Sequence, residues 1–137
     1  MGNRRTTTKA VITNTAVSGT TVYTSSWFPM GTYVAVGGQI TFTGTMTGTL
    51  TIEVSYDPPV SMESSATPSP TNFNAVSISV NSAIVASIAI GAAGTFSWEL
   101  GSGNGGAMSA NWVRMKYTNA TLSGTIVVGN IVGKAAG

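Results

Sequence analysis

The carboxylates and lysines are the side chains of this sequence that could carry acid–base chemistry. Glu53 and Asp57 lie four residues apart at the end of an alternating segment, and two carboxylates can cleave a glycosidic bond when the fold holds them at a suitable separation. The sequence does not indicate a second strand that would bring another carboxylate close to either residue. The lysines, Lys9, Lys116 and Lys134, lack the Ser-x-x-Lys spacing of a nucleophile dyad. His and Cys are absent, which removes imidazole bases and thiol nucleophiles. We therefore expect no enzymatic activity.

A glycine-rich segment, GSGNGG at 101–106, matches the dinucleotide-binding pattern G-x-G-x-x-G. That pattern binds a pyrophosphate where a helix follows directly, with an acidic residue about 20 residues further on. Here a strand is predicted at 111–118, and no Asp or Glu follows Glu99. We expect a hairpin loop at 101–106, no cofactor and no metal site.

Aromatic and basic residues alternate with apolar ones in NWVRMKYT. Trp112, Arg114, Lys116 and Thr118 fall on one face of a predicted strand. Single-stranded nucleic acids bind to sheets that carry aromatic and cationic side chains in this way, and such binding would depend steeply on salt. One Trp and two cations make a small patch compared with those of nucleic-acid binders. The sequence favours a cationic strand face that meets an acidic neighbour or solvent.

A second aromatic cluster, WFPM at 27–30, ends another predicted strand. A domain of this size needs its few large aromatic residues inside, so we predict core positions for Trp27 and Phe28. The alternative is a contact anchor, because Trp, Phe and Met are enriched at the centres of protein interfaces.

Charge is scarce and unevenly distributed along the 137 residues. Only 7% of the residues are charged, against 42% hydrophobic, and the net charge is +2. The basic residues lie near the two ends and the four acids lie between them. An ordinary soluble surface carries far more charge, which favours a surface that a partner covers. No apolar run approaches the roughly 20 residues of a membrane span, and we expect no membrane association.

Alternation with a period of two residues is the main structural signal, and Thr, Ser, Val and Gly are the typical residues of β-proteins. It predicts an all-β fold: a single β-sandwich over 10–137, with a jelly roll favoured, preceded by a basic N-terminal arm over 1–9. Prolines mark 57–71 as a surface loop, 101–109 is a second long loop, and a turn is expected at Asn119. The segment 83–90 fits a strand and a helix almost equally. The predicted strands are 9–17, 20–27, 33–36, 39–45, 49–56, 75–80, 83–90, 95–100, 111–118 and 124–132.

Three segments carry a resemblance to a known group of proteins: NRRTTTKAVI, TLTIEVSYDPP and NWVRMKYTNATLSGTIVVGNIVGK. Together they resemble small β-sandwich structural proteins of tailed bacteriophage virions. In size and composition the chain is most similar to the jelly-roll cement, or decoration, proteins of capsids, such as that of Bordetella phage. The resemblance implies a protein of the virion that binds the outer capsid surface and bridges subunits of the major capsid protein. It also implies self-association as a homodimer or trimer.

A different class of function stays open beside this one. The two long loops suit a host-recognition module of a phage tail or head fibre that binds carbohydrate or a surface protein. For an interface with the capsid or with a second copy, the candidate residues are Arg4, Arg5, Lys9, Trp27, Phe28, Arg114 and Lys116.

Overall fold

The computed structural model describes residues 6–31, 33–58, 70–100 and 107–135. Arg4 and Arg5, the segment 101–106 and most of the proline-rich segment lie outside these ranges. A short 3₁₀ turn, Ala107–Ser109, is the one helical element of the described residues. The described residues therefore contain no helix that is long and apolar enough to cross a membrane. The strands are β1 (Thr6–Val17), β2 (Val22–Thr24), β3 (Phe28–Pro29), β4 (Tyr33–Gly44), β5 (Thr47–Ser55), β6 (Asn74–Val76), β7 (Ile78–Val80), β8 (Ala83–Val85), β9 (Ile88–Ile90), β10 (Gly94–Leu100), β11 (Trp112–Thr121) and β12 (Gly124–Ala135).

These strands form two antiparallel sheets that pack face to face. Sheet A has the order β1-β12-β4-β10-β7-β8, and sheet B has the order β2-β11-β5-β6, with β3 paired to β11 and β9 paired to β5. The predicted all-β single sandwich is therefore confirmed. Four short strands, β3, β6, β7 and β8, extend the edges of these sheets, and without them the sheets read β1-β12-β4-β10 and β2-β11-β5-β9. Those are the two interlocked four-stranded sheets of a jelly roll.

Side chains that alternate along the strands fill the space between the sheets. From sheet B, β5 supplies Leu50 and Ile52 and β11 supplies Tyr117, while sheet A supplies Phe42 and Trp98, all buried. Phe42 and Tyr117 meet at 4.8 Å between ring centroids. The apolar faces that the alternation predicted are thus the inner faces of the two sheets.

Strand β4 is longer than predicted. The glycine pair at 37–38 suggested a break between two strands, but β4 runs without interruption from Tyr33 to Gly44. Gly38 faces inward beside the Trp98 indole, and a Cβ there would lie 2.6 Å from the Trp98 Cζ2 atom. The glycine makes room for a large core side chain and does not end the strand.

Two segments predicted as single strands each divide between the two sheets. The segment 75–80 covers most of β6 in sheet B and all of β7 in sheet A, and 83–90 contains β8 in sheet A and β9 in sheet B. The choice between strand and helix at 83–90 is thereby decided in favour of strands. Asn81 and Ser82 both have positive φ, at 50° and 68°, as the two-residue turn of a tight hairpin requires.

The expected turn at Asn119 is wrong, because this residue lies within β11 and is 1% exposed. Its carboxamide accepts a hydrogen bond from the Tyr117 hydroxyl at 2.8 Å and donates to the carbonyls of Gly19 and Leu122. A buried amide with three partners joins the strand to two neighbouring turns.

The N-terminal strand begins within the segment predicted as an arm. Thr6 pairs with Lys134 and Lys9 pairs with Ile131 in the β1–β12 ladder. No other strand of the described residues pairs with the outer edge of β1, although the Val11 carbonyl accepts a hydrogen bond from the Ser26 amide. Sheet A therefore has a long edge strand.

Candidate interaction surface on the outer face of sheet B

Strand β11 presents two chemically distinct faces, as its alternation predicted. Val113, Met115 and Tyr117 are buried in the core. Arg114 and Lys116 point to the opposite side and are half-buried. This outer face of sheet B, at the junction of β11 and β5, collects most of the polar contacts described below.

Arg114 is paired with an acid on the neighbouring strand. The β5–β11 register places Glu53 directly opposite Arg114, and the Arg114 Nε donates to Glu53 Oε1 at 2.9 Å. The side chains are 16% and 8% exposed. Partial burial strengthens such a charge-assisted hydrogen bond, because little water screens it. The cationic strand face therefore meets an acidic neighbour, the alternative that the sequence favoured.

Two aromatic rings hold the same guanidinium group. The Arg114 Cζ lies 4.4 Å from the ring centroid of Trp27 and 4.4 Å from that of Phe73, and the two centroids are 5.8 Å apart. These distances allow attraction between the cation and both ring faces. Arg114, Glu53, Trp27 and Phe73 form one unit, the arginine cluster, in which the guanidinium group contacts the other three side chains.

Beside the cluster, Asp57 closes the base of the proline-rich segment. Its carboxylate accepts the backbone N–H of Thr71 at 2.7 Å and that of Asn72 at 3.2 Å, and it also accepts the Asn72 side-chain amide at 3.2 Å. These hydrogen bonds, the Thr71 N–H first, hold the pKa of Asp57 below its ordinary value. We call this arrangement the loop foot.

The loop foot is also fastened to β11. The Asn111 side-chain amide and the Trp112 indole N–H both donate to the Asp57 carbonyl, at 3.0 and 3.1 Å. The Ser55 hydroxyl donates to the Asn72 carbonyl at 2.6 Å. Asp57 and Asn72, which flank the proline-rich segment, are therefore both held by hydrogen bonds at the outer face of sheet B.

Next to the arginine cluster lies a neutral area, which we call the threonine face. Lys116 lies between Thr24 of β2 and Thr51 of β5, and Thr118 lies opposite Thr49. The described charged residues with well-exposed side chains are Lys9, Glu99 and Lys134, and all three belong to sheet A. The outer face of sheet B offers hydroxyl groups and little exposed charge.

The candidate interface residues separate into distinct groups. Trp27 contacts Arg114 on the outer face of sheet B, and Lys116 lies on the same face of β11. Phe28 is 1% exposed and packs in the core, so it offers a partner no surface in this conformation. Lys9 is exposed on β1, in the other sheet. Arg4 and Arg5 lie outside the described residues.

Sequence reasoning did not identify Phe73 or the structural role of Asp57. Phe73 follows a proline-rich segment without periodicity, and nothing local indicates that it will contact Arg114. Glu53 and Asp57 were considered as a catalytic pair, but each carboxylate has structural partners, Arg114 for Glu53 and the loop foot for Asp57. Within the described ranges, no group of three metal-ligating side chains comes together.

The geometry defines a β-sandwich with jelly-roll connectivity, and solved structures share this fold. The SPBc2 prophage-derived protein YomS matches with a TM-score of 0.62 over 98% of this chain and 97% of its own, at 9% identity. A chain from the structure of infectious bursal disease virus, Gx strain, matches with a TM-score of 0.54 at 10% identity. That match covers 98% of this chain, which spans 32% of the viral one. No family model matches, and no curated protein is significantly similar in sequence.

Proposed function

We propose that this protein is a non-enzymatic structural component of a virion, which binds the outer capsid surface and bridges subunits of the major capsid protein. The observation that carries the proposal is the outer face of sheet B. Arg114 and Glu53 neutralise each other there, and apart from Lys116 the polar groups beside them are mainly Thr hydroxyls.

Such a face suits permanent contact with a protein surface. Burial of an unpaired charge carries a large desolvation penalty, whereas Thr hydroxyls can exchange water for carbonyl or amide partners at little cost. Arg114 is already neutralised by Glu53 at 2.9 Å, so a partner does not have to supply its counter-charge. Lys116 is left as the cation that a capsid carboxylate would meet.

The fixed geometry of this face adds to its suitability. Asp57, Asn72 and Trp112 hold the base of the proline-rich segment by hydrogen bonds, so little conformational freedom is lost there when a partner binds. The similarity in fold to a prophage-derived protein and to a chain of a virus structure supports the same class of function.

The edge of sheet A supplies a second contact, in the form of self-association. β1 is a long edge strand, and such an edge pairs readily with a strand of another copy. A homodimer or trimer formed in this way would present several sheet B faces to the shell at once, which raises the overall affinity. The segment 1–9, with Arg4 and Arg5, extends in this proposal to carboxylates of a neighbouring subunit.

Co-sedimentation with shells assembled from the major capsid protein of the same virus tests the proposal. We expect Thr49→Glu, which places a charge on the threonine face, to lower shell occupancy about tenfold, as the burial of an unpaired charge requires. The matched control is Thr43→Glu, at an exposed position on sheet A, which should bind as the wild type does. Equal occupancy for both variants would contradict the proposed contact face.

Two further measurements separate the alternatives. Deletion of residues 1–9 should weaken attachment to shells, and unchanged occupancy would remove the arm from the proposal. The copy number in purified virions distinguishes a decoration protein from a host-recognition module. A number comparable to that of the major capsid protein supports decoration, and a number comparable to that of tail components supports host recognition.

A further inference from the structure

The outer face of sheet A contains a groove with chemistry unlike that of sheet B. It has a volume of about 720 Å³, within the roughly 300–1,000 Å³ of ligand pockets. It runs across five strands, because Thr8, Val132, Gly37, Glu99 and Ser79 are successive cross-strand partners. The central member of this row, Gly37, has no side chain, so its backbone forms the floor of the groove.

Small residues on β4 keep the groove open. Ala35 neighbours Lys134, and Gly37 lies between Val132 and Glu99. A Cβ at Gly37 would lie 2.8 Å from the Trp98 carbonyl oxygen and 3.5 Å from the Glu99 Cγ. Any larger residue at Gly37 would therefore strain the ladder as well as fill the floor.

The polar side chains of the groove have no partners among the described residues. Within the described ranges, the polar side chains that line the groove take part in neither a hydrogen bond nor an ion pair. One cross-strand position further along the same face, Thr41 and Thr95 satisfy each other at 2.9 Å between hydroxyl oxygens. The groove thus collects unused donors and acceptors in one place. These side chains are Thr8, Gln39, Ser79, Asn81, Ser82, Ser97, Glu99, Asn130 and Lys134.

The kinds of polar group define the class of ligand. Three carboxamides and four hydroxyls line the groove, and each can donate and accept hydrogen bonds. One acid and one base leave the lining without net charge. Phosphate or nucleic acid requires several cations, and among the described residues that line the groove Lys134 is the one cation. We infer that this groove binds a neutral oligosaccharide, whose hydroxyl groups also donate and accept.

This inference does not rest on the proposed function. The groove lies on sheet A and the proposed capsid contact lies on sheet B, on opposite sides of the core. A virion protein attached through sheet B would present the groove outward, where surface glycans of a host are accessible. Gln39 and Asn130 are neighbouring cross-strand partners and would contact the same sugar unit.

Screening the full chain on an array of immobilised neutral and sialylated oligosaccharides tests the inference. Binding should be restricted to neutral glycans, and the strongest of them should shift the amide resonances of Gly37 and Ser97 in a titration followed by NMR. Gln39→Ala combined with Asn130→Ala should weaken that binding at least about tenfold, as expected for two lost hydrogen bonds. Thr43→Ala, on the same face of β4, is the matched control and should bind normally.

Several results would overturn the inference. They are no glycan binding, preference for sialylated glycans, unchanged affinity of the double variant, or shifts confined to residues outside the groove. Binding of an extended peptide in the same place would assign the groove to a protein partner instead. Shell co-sedimentation of the double variant keeps the two proposals separate, because its occupancy should equal that of the wild type.

Discussion

The arginine cluster is a sharp test of how the outer face of sheet B is held together. Arg114→Met keeps most of the aliphatic length of the side chain and removes its charge, its Nε donor and its planar group. The charge-assisted hydrogen bond to Glu53 at 2.9 Å contributes about 1.5–3 kcal/mol. Each aromatic ring at 4.4 Å adds about 0.5–1 kcal/mol. Because Arg114 is 16% exposed, we place the loss at about 3 kcal/mol, nearer the lower end of this sum.

Equilibrium unfolding in urea measures that loss directly, and thermal unfolding supplies a second reading. A loss of about 3 kcal/mol in a chain of this size lowers Tm by about 10 °C. Arg114→Lys is the matched control, since it keeps the charge but loses the planar, stacked geometry. It should fall between the wild type and Arg114→Met.

A double-mutant cycle with Glu53→Gln separates the ion pair from the rest of the cluster. Arg114→Met alone leaves the Glu53 carboxylate, 8% exposed, without its counter-charge, and that penalty disappears when Glu53 is neutral. The stability loss of the double variant should therefore be about 2 kcal/mol smaller than the sum of the two single losses. Additive losses, or an Arg114→Met variant as stable as the wild type, would refute the reasoning.

Two further predictions concern the loop foot and the packing of β5. The pKa of Asp57 is lowered in the folded chain, chiefly by the Thr71 N–H, so its contribution to stability is present above about pH 4 and is lost as pH falls through the lower folded value. Asp57→Asn should lower Tm at pH 7, and the gap to wild type should narrow below pH 4 in thermal unfolding; a constant gap down to pH 2 would contradict this role. A Cβ at Gly48 would collide with the Thr118 carbonyl oxygen, so Gly48→Ala should cost about 2 kcal/mol in urea unfolding. Gly91→Ala, which meets no atom within 4 Å, should stay within about 0.5 kcal/mol of wild type, and similar losses for the two variants would refute the packing argument.

The sequence was most informative where the alternation of side chains is regular. In β5 and β11 it identified the buried face, including Leu50, Ile52 and Met115, because a strand buried on one face determines which residues turn inward. It was least informative where tertiary contacts override local signals. Gly38 reads as a break in isolation, yet it lies under an indole that comes from a different strand.

The candidate site was predictable in its parts but not in its assembly. Trp27, Arg114 and Lys116 stand out by residue type, whereas the partners of Arg114 come from distant positions in the sequence. Glu53 becomes its partner through the β5–β11 register, and Phe73 through a ring contact made 41 positions away in the sequence. A single sequence carries no information on the pairing of strands that are so far apart. Long-range register is therefore what the sequence leaves undetermined here.

The two outer faces of the sandwich differ in whether most of their charged and carboxamide side chains have partners within the protein. On sheet B, Arg114 has Glu53 and two aromatic rings, and Asp57 has the amides of the loop foot. On sheet A, Gln39 and Asn130 have no partner among the described residues. When polar side chains already have partners within the protein, permanent coverage of the surface costs little free energy of desolvation. When donors and acceptors are free, hydrogen bonds to a polar ligand add to the free energy of binding. This asymmetry is the reason why we propose the lasting contact for sheet B and the exchangeable ligand for sheet A.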